Sequence, residues 1–292
     1  MPVEHRNLSV PSDKGEIMKV NKKRMIGIVI VLSLLILAIT IFWFSRGSLR
    51  KPESIAYDQT EDVYYISNSG NGKIIAMDGK GKQSIFIDSG LKSPKGLLLQ
   101  KPYLYVADET NIHAIDLANK RIAATYPIEG SVMLNDIAAD RNGHLYITDT
   151  LANCLFIFDP LSKGLQKISH PLLNAPNGIA YDRMRHQMLV VSYSSMASIL
   201  IFDIATRETQ VFKETIYSNL DGIAFDDVGR IYFSTWKEQA IVMIPLELNR
   251  FVTVASNLKS PADFIFNPKS KQLVIPQLQR NRIRMVDIPK FE

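Results

Sequence analysis

Cysteine is almost missing from this chain of 292 residues: Cys154 stands alone. No internal disulfide can form, and the cysteine count says nothing about the redox compartment. The five histidines (His5, His113, His144, His170 and His186) never pair at metal-ligand spacing. That leaves a zinc site of the His/Cys kind without ligands. A Gly-rich phosphate loop is absent, and so is a G-x-S-x-G nucleophile turn, which argues against a P-loop and against a serine-hydrolase elbow. Neither sign of charge dominates the main part of the chain. Six Lys/Arg and three Asp/Glu precede residue 45, and 28 and 26 follow it. With no basic cluster interleaved with aromatics, a nucleic-acid partner is not expected.

Charge and proline are also missing from residues 25–44, MIGIVIVLSLLILAITIFWF. A helix of that length rises far enough to cross the ~30 Å hydrocarbon core. A buried core helix would show a polar face, and this run offers only Ser33 and Thr40. The apolar stretch exceeds that of a cleavable signal peptide, and no A-x-A-like site follows it. The expectation is an uncleaved signal-anchor: one transmembrane α-helix at 25–44 behind a tail at 1–24. Lys19, Lys22, Lys23 and Arg24 precede the run, against Arg46, Arg50 and Lys51 after it. This small basic excess predicts a cytoplasmic tail and a single-pass membrane protein whose main domain, residues 45–292, is extracytoplasmic.

What the remainder has is a repeat. A small or polar pair, an apolar triplet and an Asp or Asn recur as PESIAYD (52–58), LNDIAAD (134–140), PNGIAYD (176–182) and LDGIAFD (220–226). Weaker copies, PKGLLLQ (94–100) and PADFIFN (261–267), fill the gaps. A period of about 40 residues is that of a four-stranded propeller blade. Each unit reads as four short strands rich in β-branched and aromatic residues, separated by turn formers. The fold expected is all-β: a six-bladed β-propeller over 45–292. The Asp or Asn closing each copy (Asp58, Asp140, Asp182, Asp226, Asn267) reads as a turn residue, because an Asp side chain there bonds the backbone two residues on. The sixth unit shows only three strands, so residues 45–51 are expected to supply its fourth.

The second residue of each copy forms a column: Glu53, Lys95, Asn135, Asn177, Asp221 and Ala262. In a propeller these positions open the innermost strands and converge on the central channel. Four of the six offer hard oxygen donors, two carboxylates and two amides, which suit Ca²⁺ and, less well, Mg²⁺. A purely structural reading, in which these side chains cap loops, competes with a site. Lys95 either holds an anionic group of a substrate or points to solvent. Asp136 could support Asn135 from behind. Trp236 either lines a pocket at the channel mouth or fills a gap between blades. Cys154, opening the strand CLFIFD, reads as buried and apolar.

The copies at 52–58, 134–136, 176–182 and 220–226 resemble the metal motifs of the gluconolactonase, senescence marker protein and luciferin-regenerating enzyme family. The likeness extends more distantly to paraoxonases and strictosidine-synthase-like proteins. It implies a six-bladed propeller holding a divalent cation, usually calcium, in its channel. Glu53, Asn135, Asn177 and Asp221 match the family's ligands in order. One departure is Met133, which stands where sugar-lactonase members carry a substrate-contacting Arg. Two functions follow as expectations. The first is a membrane-anchored, calcium-dependent hydrolase of a lactone or related ester, with Asp221 orienting the attacking water and Lys95 binding substrate. The second is a non-catalytic propeller that binds a ligand or protein around a structural metal.

Overall fold

The computed structural model describes residues 25–35, 48–247 and 250–288. Among the described residues from 52 onward the chain forms six antiparallel sheets, four strands in each of the first five and three in the sixth. The blades span 52–87, 94–127, 134–169, 176–213, 220–255 and 265–287. In blade 1 the strands are Pro52–Asp58, Val63–Asn68, Lys73–Asp78 and Gln83–Ile87, paired in that order. The first strands of the six blades contact one another in a closed ring, which makes them the wall of a central channel. The six-bladed β-propeller expected from the repeat is thus observed.

Six apolar clusters hold the ring together, one at each blade interface. Ala56, Tyr65 and Ile74 of blade 1 pack on Leu97, Leu104 and Val106 of blade 2. The next strand position, Tyr105, faces the other way, into the cluster shared with Leu134, Ile147 and Phe156 of blade 3. Alternate side chains of one strand therefore bury against opposite neighbours. That is why strands such as Leu145–Asp149 and Ile231–Thr235 are buried at every residue and lack a polar/apolar alternation. The ring closes where Leu49, Ile55, Ile66 and Ile75 meet Val274 of blade 6.

The turn residues behave as the repeat suggests. Asp58 accepts from Thr60 N and Glu61 N, Asp182 from Met184 N and Arg185 N, and Asn267 from Lys269 N and Ser270 N. Asp140 accepts from Asn142 N and His144 N, and its second oxygen takes His144 Nδ1 and the Tyr146 hydroxyl. Burial, and then the nearby Asp140 carboxylate, push the Tyr146 phenol up to about 12. Asp140→Ala would strip a buried tyrosine hydroxyl of this acceptor and open the turn. A loss of about 2 kcal/mol is expected, readable as a lower midpoint in urea unfolding with an unchanged slope.

Two expectations need correction. The first concerns the membrane. The helix observed is Met25–Leu35, and residues 36–44 of the expected span lie outside the described residues. Eleven residues rise about 16 Å, roughly half of what a bilayer core requires. Among the described residues no helix is long and apolar enough to cross a membrane. A single-pass membrane protein with an extracytoplasmic propeller is therefore not supported. The second concerns blade 6, whose sheet has three strands among the described residues. Residues 48–51 do not pair with it as a strand. They are the link into blade 1: Leu49 is buried, Ser69 N donates to Lys51 O, and Gly70 N donates to Arg50 O. Lys51 also takes a left-handed conformation, φ 48°, as do Ala175, Asn219 and Ser260 at the same place before later blades. A strand cannot continue through that geometry. Residues 45–47 lie outside the described residues.

Candidate functional site

In four blades the inner strand begins with a short approach that the second strand of the same blade fixes. The last residue of that second strand reaches back to the backbone of the incoming loop. Asn68 Oδ1 accepts from Arg50 N, which leads to Glu53. The Asp108 carboxylate accepts from Lys92 N and Ser93 N, ahead of Lys95. Asp149 accepts from Val132 N and Met133 N, ahead of Asn135. Gln277 Oε1 does the same for Lys259 N ahead of Ala262. In blade 5 Glu238 takes Ser218 N and the Thr235 hydroxyl. His113 is spent on this scaffold, with Nε2 3.4 Å from Asp108 Oδ2 and Nδ1 2.9 Å from Thr125 Oγ1. Burial, opposed by these donors, leaves the Asp108 carboxyl below the usual range.

The predicted oxygen donors of the column open their inner strands. Glu53, Asn135, Asn177 and Asp221 are each at most 6 % exposed. Lys95 turns inward rather than to solvent: its Nζ lies 3.3 Å from Glu53 Oε1, with 19 % of the side chain exposed. Asp221 feels the charges of Glu53, Lys95 and Asp136 and the indole of Trp236. Burial first, and then Glu53, hold its carboxyl well above the ordinary range, against the opposing pull of Lys95. The column thus sets Glu53 against Lys95, with Asp221 close enough to feel both charges. Two acceptors in it are orphaned. Glu53 Oε2 and Asn177 Oδ1 are sealed from solvent and have no hydrogen-bond partner. Buried acceptors in native proteins are nearly always paired, so each such atom calls for an explanation.

The third residue of each copy forms a second column that the sequence reading did not single out: Ser54, Gly96, Asp136, Gly178, Gly222 and Asp263. Its glycines allow contact between neighbouring inner strands; a Cβ on Gly178 would lie 2.2 Å from Asp221 O. Its polar members tie blades together. Asp136 accepts from Ile137 N and from Ile179 N of blade 4. Ser54 Oγ donates to Asp263 Oδ2 and accepts from Leu97 N. Asp136 does not brace Asn135; with Asp263 it lines a further cavity of about 310 Å³ in the channel, among Ile55, Leu97, Ile179 and Ile223. Burial raises the Asp136 carboxyl to about 7, with Glu53 adding to the shift against two backbone donors. Asp263 is raised by burial and then by Asp136. A larger cavity, about 730 Å³, lies between blades 1 and 2 against Tyr65, Phe86 and Lys101 and contains no column residue.

Among the described residues no three His, Cys, Asp or Glu side chains are grouped to hold a metal. The ligand set that the column offers is of another kind, since half of it is amide. Its chemistry fits a hard cation: every donor is oxygen, and two of the oxygens lack any other partner. Cys154 is fully buried, and burial raises its thiol to about 11, so it is neither ligand nor nucleophile.

Fold and channel together define a six-bladed propeller with a buried, acid-and-amide column at one end of its channel. The chain belongs to the family described as SMP-30/Gluconolactonase/LRE-like region, which matches residues 51–277. Among solved structures it is similar to a gluconolactonase of Xanthomonas campestris, with 14 % identity over 82 % of this chain and 87 % of that one, TM-score 0.70. It is similar also to virginiamycin B lyase of Staphylococcus aureus, with 13 % identity over 83 % and 82 %, TM-score 0.64. A third is an auxiliary nutrient binding protein of Bacteroides thetaiotaomicron, with 11 % identity over 83 % and 70 %, TM-score 0.67. At these identities the likeness is one of fold. No curated protein matches the chain in sequence.

Proposed function

We propose that this propeller is a divalent-cation-dependent hydrolase of lactones or related esters, with Ca²⁺ the best-fitting ion. Family membership makes a lactonase-type propeller the natural class. The observation that carries the metal is the pair of orphaned acceptors, Glu53 Oε2 and Asn177 Oδ1. Glu53, Asn135, Asn177 and Asp221 would hold the ion, two charges offsetting its own and two amides completing a partial shell. When bound, a cation of this kind polarises an ester carbonyl and stabilises the oxyanion formed on attack.

The chain's own residues supply the rest. Asp221 is a buried carboxylate of the column, and a positioned carboxylate can serve as a general base. It would orient the attacking water, take its proton at a carboxylate oxygen and return it to the leaving alkoxide. Lys95 is bonded to Glu53; once Glu53 serves an ion, the ammonium is free to hold an anionic group of the substrate. The test is calorimetric titration with Ca²⁺ and Mg²⁺ beside hydrolysis of a lactone panel, with and without chelator. A protein that binds no divalent ion would sink the reading.

Proton competition gives a second check. Because the Asp221 carboxyl is raised, a bound ion must displace its proton. Affinity is expected to climb with pH from the acid side through the folded value, by up to about tenfold per pH unit for each proton released, and to level off above it. An affinity independent of pH across the range in which the protein stays folded would mean that Asp221 is not a ligand. A second reading, a binding propeller without catalysis, is favoured by Met133, half-buried where sugar lactonases place an Arg. Calcium binding without hydrolysis of any lactone would select it.

A further inference from the structure

A second ring of residues stands over the column. The first residue after the second strand of each blade is Ser69, Glu109, Thr150, Tyr193, Trp236 and Leu278. One repeated hydrogen bond fixes five of them. Ser69 N donates to Lys51 O, Thr150 N to Met133 O, Tyr193 N to Ala175 O, Trp236 N to Asn219 O, and Leu278 N to Ser260 O. Each acceptor lies just ahead of a column residue, so the ring forms the rim at that end of the channel. Its composition is divided. Blades 1 to 3 contribute Ser69, Glu109 and Thr150, and blades 4 to 6 contribute Tyr193, Trp236 and Leu278. One half of the rim is polar and the other half apolar, and each half is continuous.

The apolar half is organised. Tyr193 and Trp236 meet edge to face, ring centroids 5.3 Å apart at 90°. Such pairing fixes both rings and keeps an aromatic face presented. Trp236 also acts on the Asp221 carboxylate, which places this wall beside the proposed reacting centre. Its indole nitrogen is sealed from solvent yet has no partner at hydrogen-bonding geometry. An apolar wall of this kind beside the column suits an alkyl or aryl group carried next to the reacting oxygen. A polyhydroxylated chain would instead leave hydroxyls unpaired against these rings, which is costly.

We propose that Tyr193 and Trp236 form a specificity wall at the rim of the channel above the column, and that it selects lactones or esters bearing an apolar alkyl or aryl substituent over polyhydroxylated sugar lactones. This rests on the hydrolase reading for its chemistry, though the wall itself can be tested by binding alone. The chain has two tryptophans, Trp43 and Trp236, so Trp43→Phe leaves Trp236 as the sole reporter. In that background, tryptophan emission is titrated with an alkyl-substituted δ-lactone and with glucono-δ-lactone, and hydrolysis of both is followed in parallel. The alkyl lactone should shift the emission at roughly tenfold lower concentration or better. Tyr193→Ser should reduce that preference by roughly tenfold, and Tyr193→Phe should restore it. Equal or tighter binding of glucono-δ-lactone overturns the proposal, as does an unchanged preference in Tyr193→Ser. If the preference holds while neither lactone is hydrolysed, the wall stands and the hydrolase reading falls.

Discussion

Asp221→Asn should weaken Ca²⁺ binding by roughly two to four orders of magnitude and reduce lactone hydrolysis by at least as much. The substitution is nearly isosteric and removes one of two carboxylates from a site whose four donor residues are each at most 6 % exposed. Removing one partner of a buried charge pair costs about 3–5 kcal/mol, which sets the loss of affinity. Loss of a positioned general base costs a further 10²–10⁴-fold or so in rate. The same change should not harm the apo fold. Burial and the charge of Glu53 raise the Asp221 carboxyl in the folded state. A raised carboxyl favours folding only while it is protonated. Its penalty grows as pH rises from about 4, the unfolded value, up to the folded one. Asn carries no such penalty, so the apo variant should match or exceed the parent in melting temperature at pH 8. Added Ca²⁺ should then raise the melting temperature of the parent and not of the variant. Reduced binding together with a lower apo melting temperature would show a damaged fold instead of a lost ligand. Glu53→Gln is the companion test, and it differs in one respect: it also frees Lys95, now 3.3 Å from Glu53 Oε1.

How far all this was legible in the sequence depends on whether a feature repeats in register. The inner strand recurs as a recognisable heptad, so the blade count, the turn residues and the column Glu53, Asn135, Asn177 and Asp221 could be aligned by eye. The clamps at the ends of the second strands could not. Asn68, Asp108, Asp149 and Gln277 do one job with three residue types, and turns of varying length separate them from the heptad. Asp263 was hidden in the weakest copy, PADFIFN, whose strand is only Ile265–Asn267. The direction of Lys95 was undecidable from one dimension, because its partner Glu53 is 42 residues away. The expected membrane span failed for another reason. Hydropathy reports which residues would tolerate lipid, whereas a span also needs about twenty helical residues, and the helix observed is Met25–Leu35. The expected strand at 45–51 failed over 48–51, its described part, because a missing fourth strand was filled from the nearest unassigned residues. Leu49 and the left-handed Lys51 are instead the counterpart of the links between later blades.

Gly178→Ala should be the most damaging single methyl in the domain. A Cβ there would sit 2.2 Å from Asp221 O and 2.9 Å from Gly222 Cα. Both are backbone atoms of the next inner strand, so no rotamer change relieves the contact. Only separation of blades 4 and 5 can, and that opens the cluster in which Leu189, Ile199 and Ile223 are packed. Overpacking usually costs 1–3 kcal/mol or so. A collision with backbone belongs at or above about 3 kcal/mol, or roughly 10 °C in melting temperature for a domain of this size. Gly164→Ala is the control. Its nearest contact is the hydroxyl of Ser162 at 3.2 Å, the end of a side chain that can turn away, and its melting temperature should move by no more than a few degrees. The effect at Gly178 is also expected to reach function. Moving Asp221 O moves the strand that carries the Asp221 carboxylate, and cation sites lose affinity when their ligands shift by fractions of an ångström. Ca²⁺ titration of Gly178→Ala below its melting point should therefore show weakened binding, although no proposed ligand has been replaced. If binding were unchanged in a protein destabilised by that amount, Asp221 would not be a ligand. The geometry of the inner ring would then serve the fold alone.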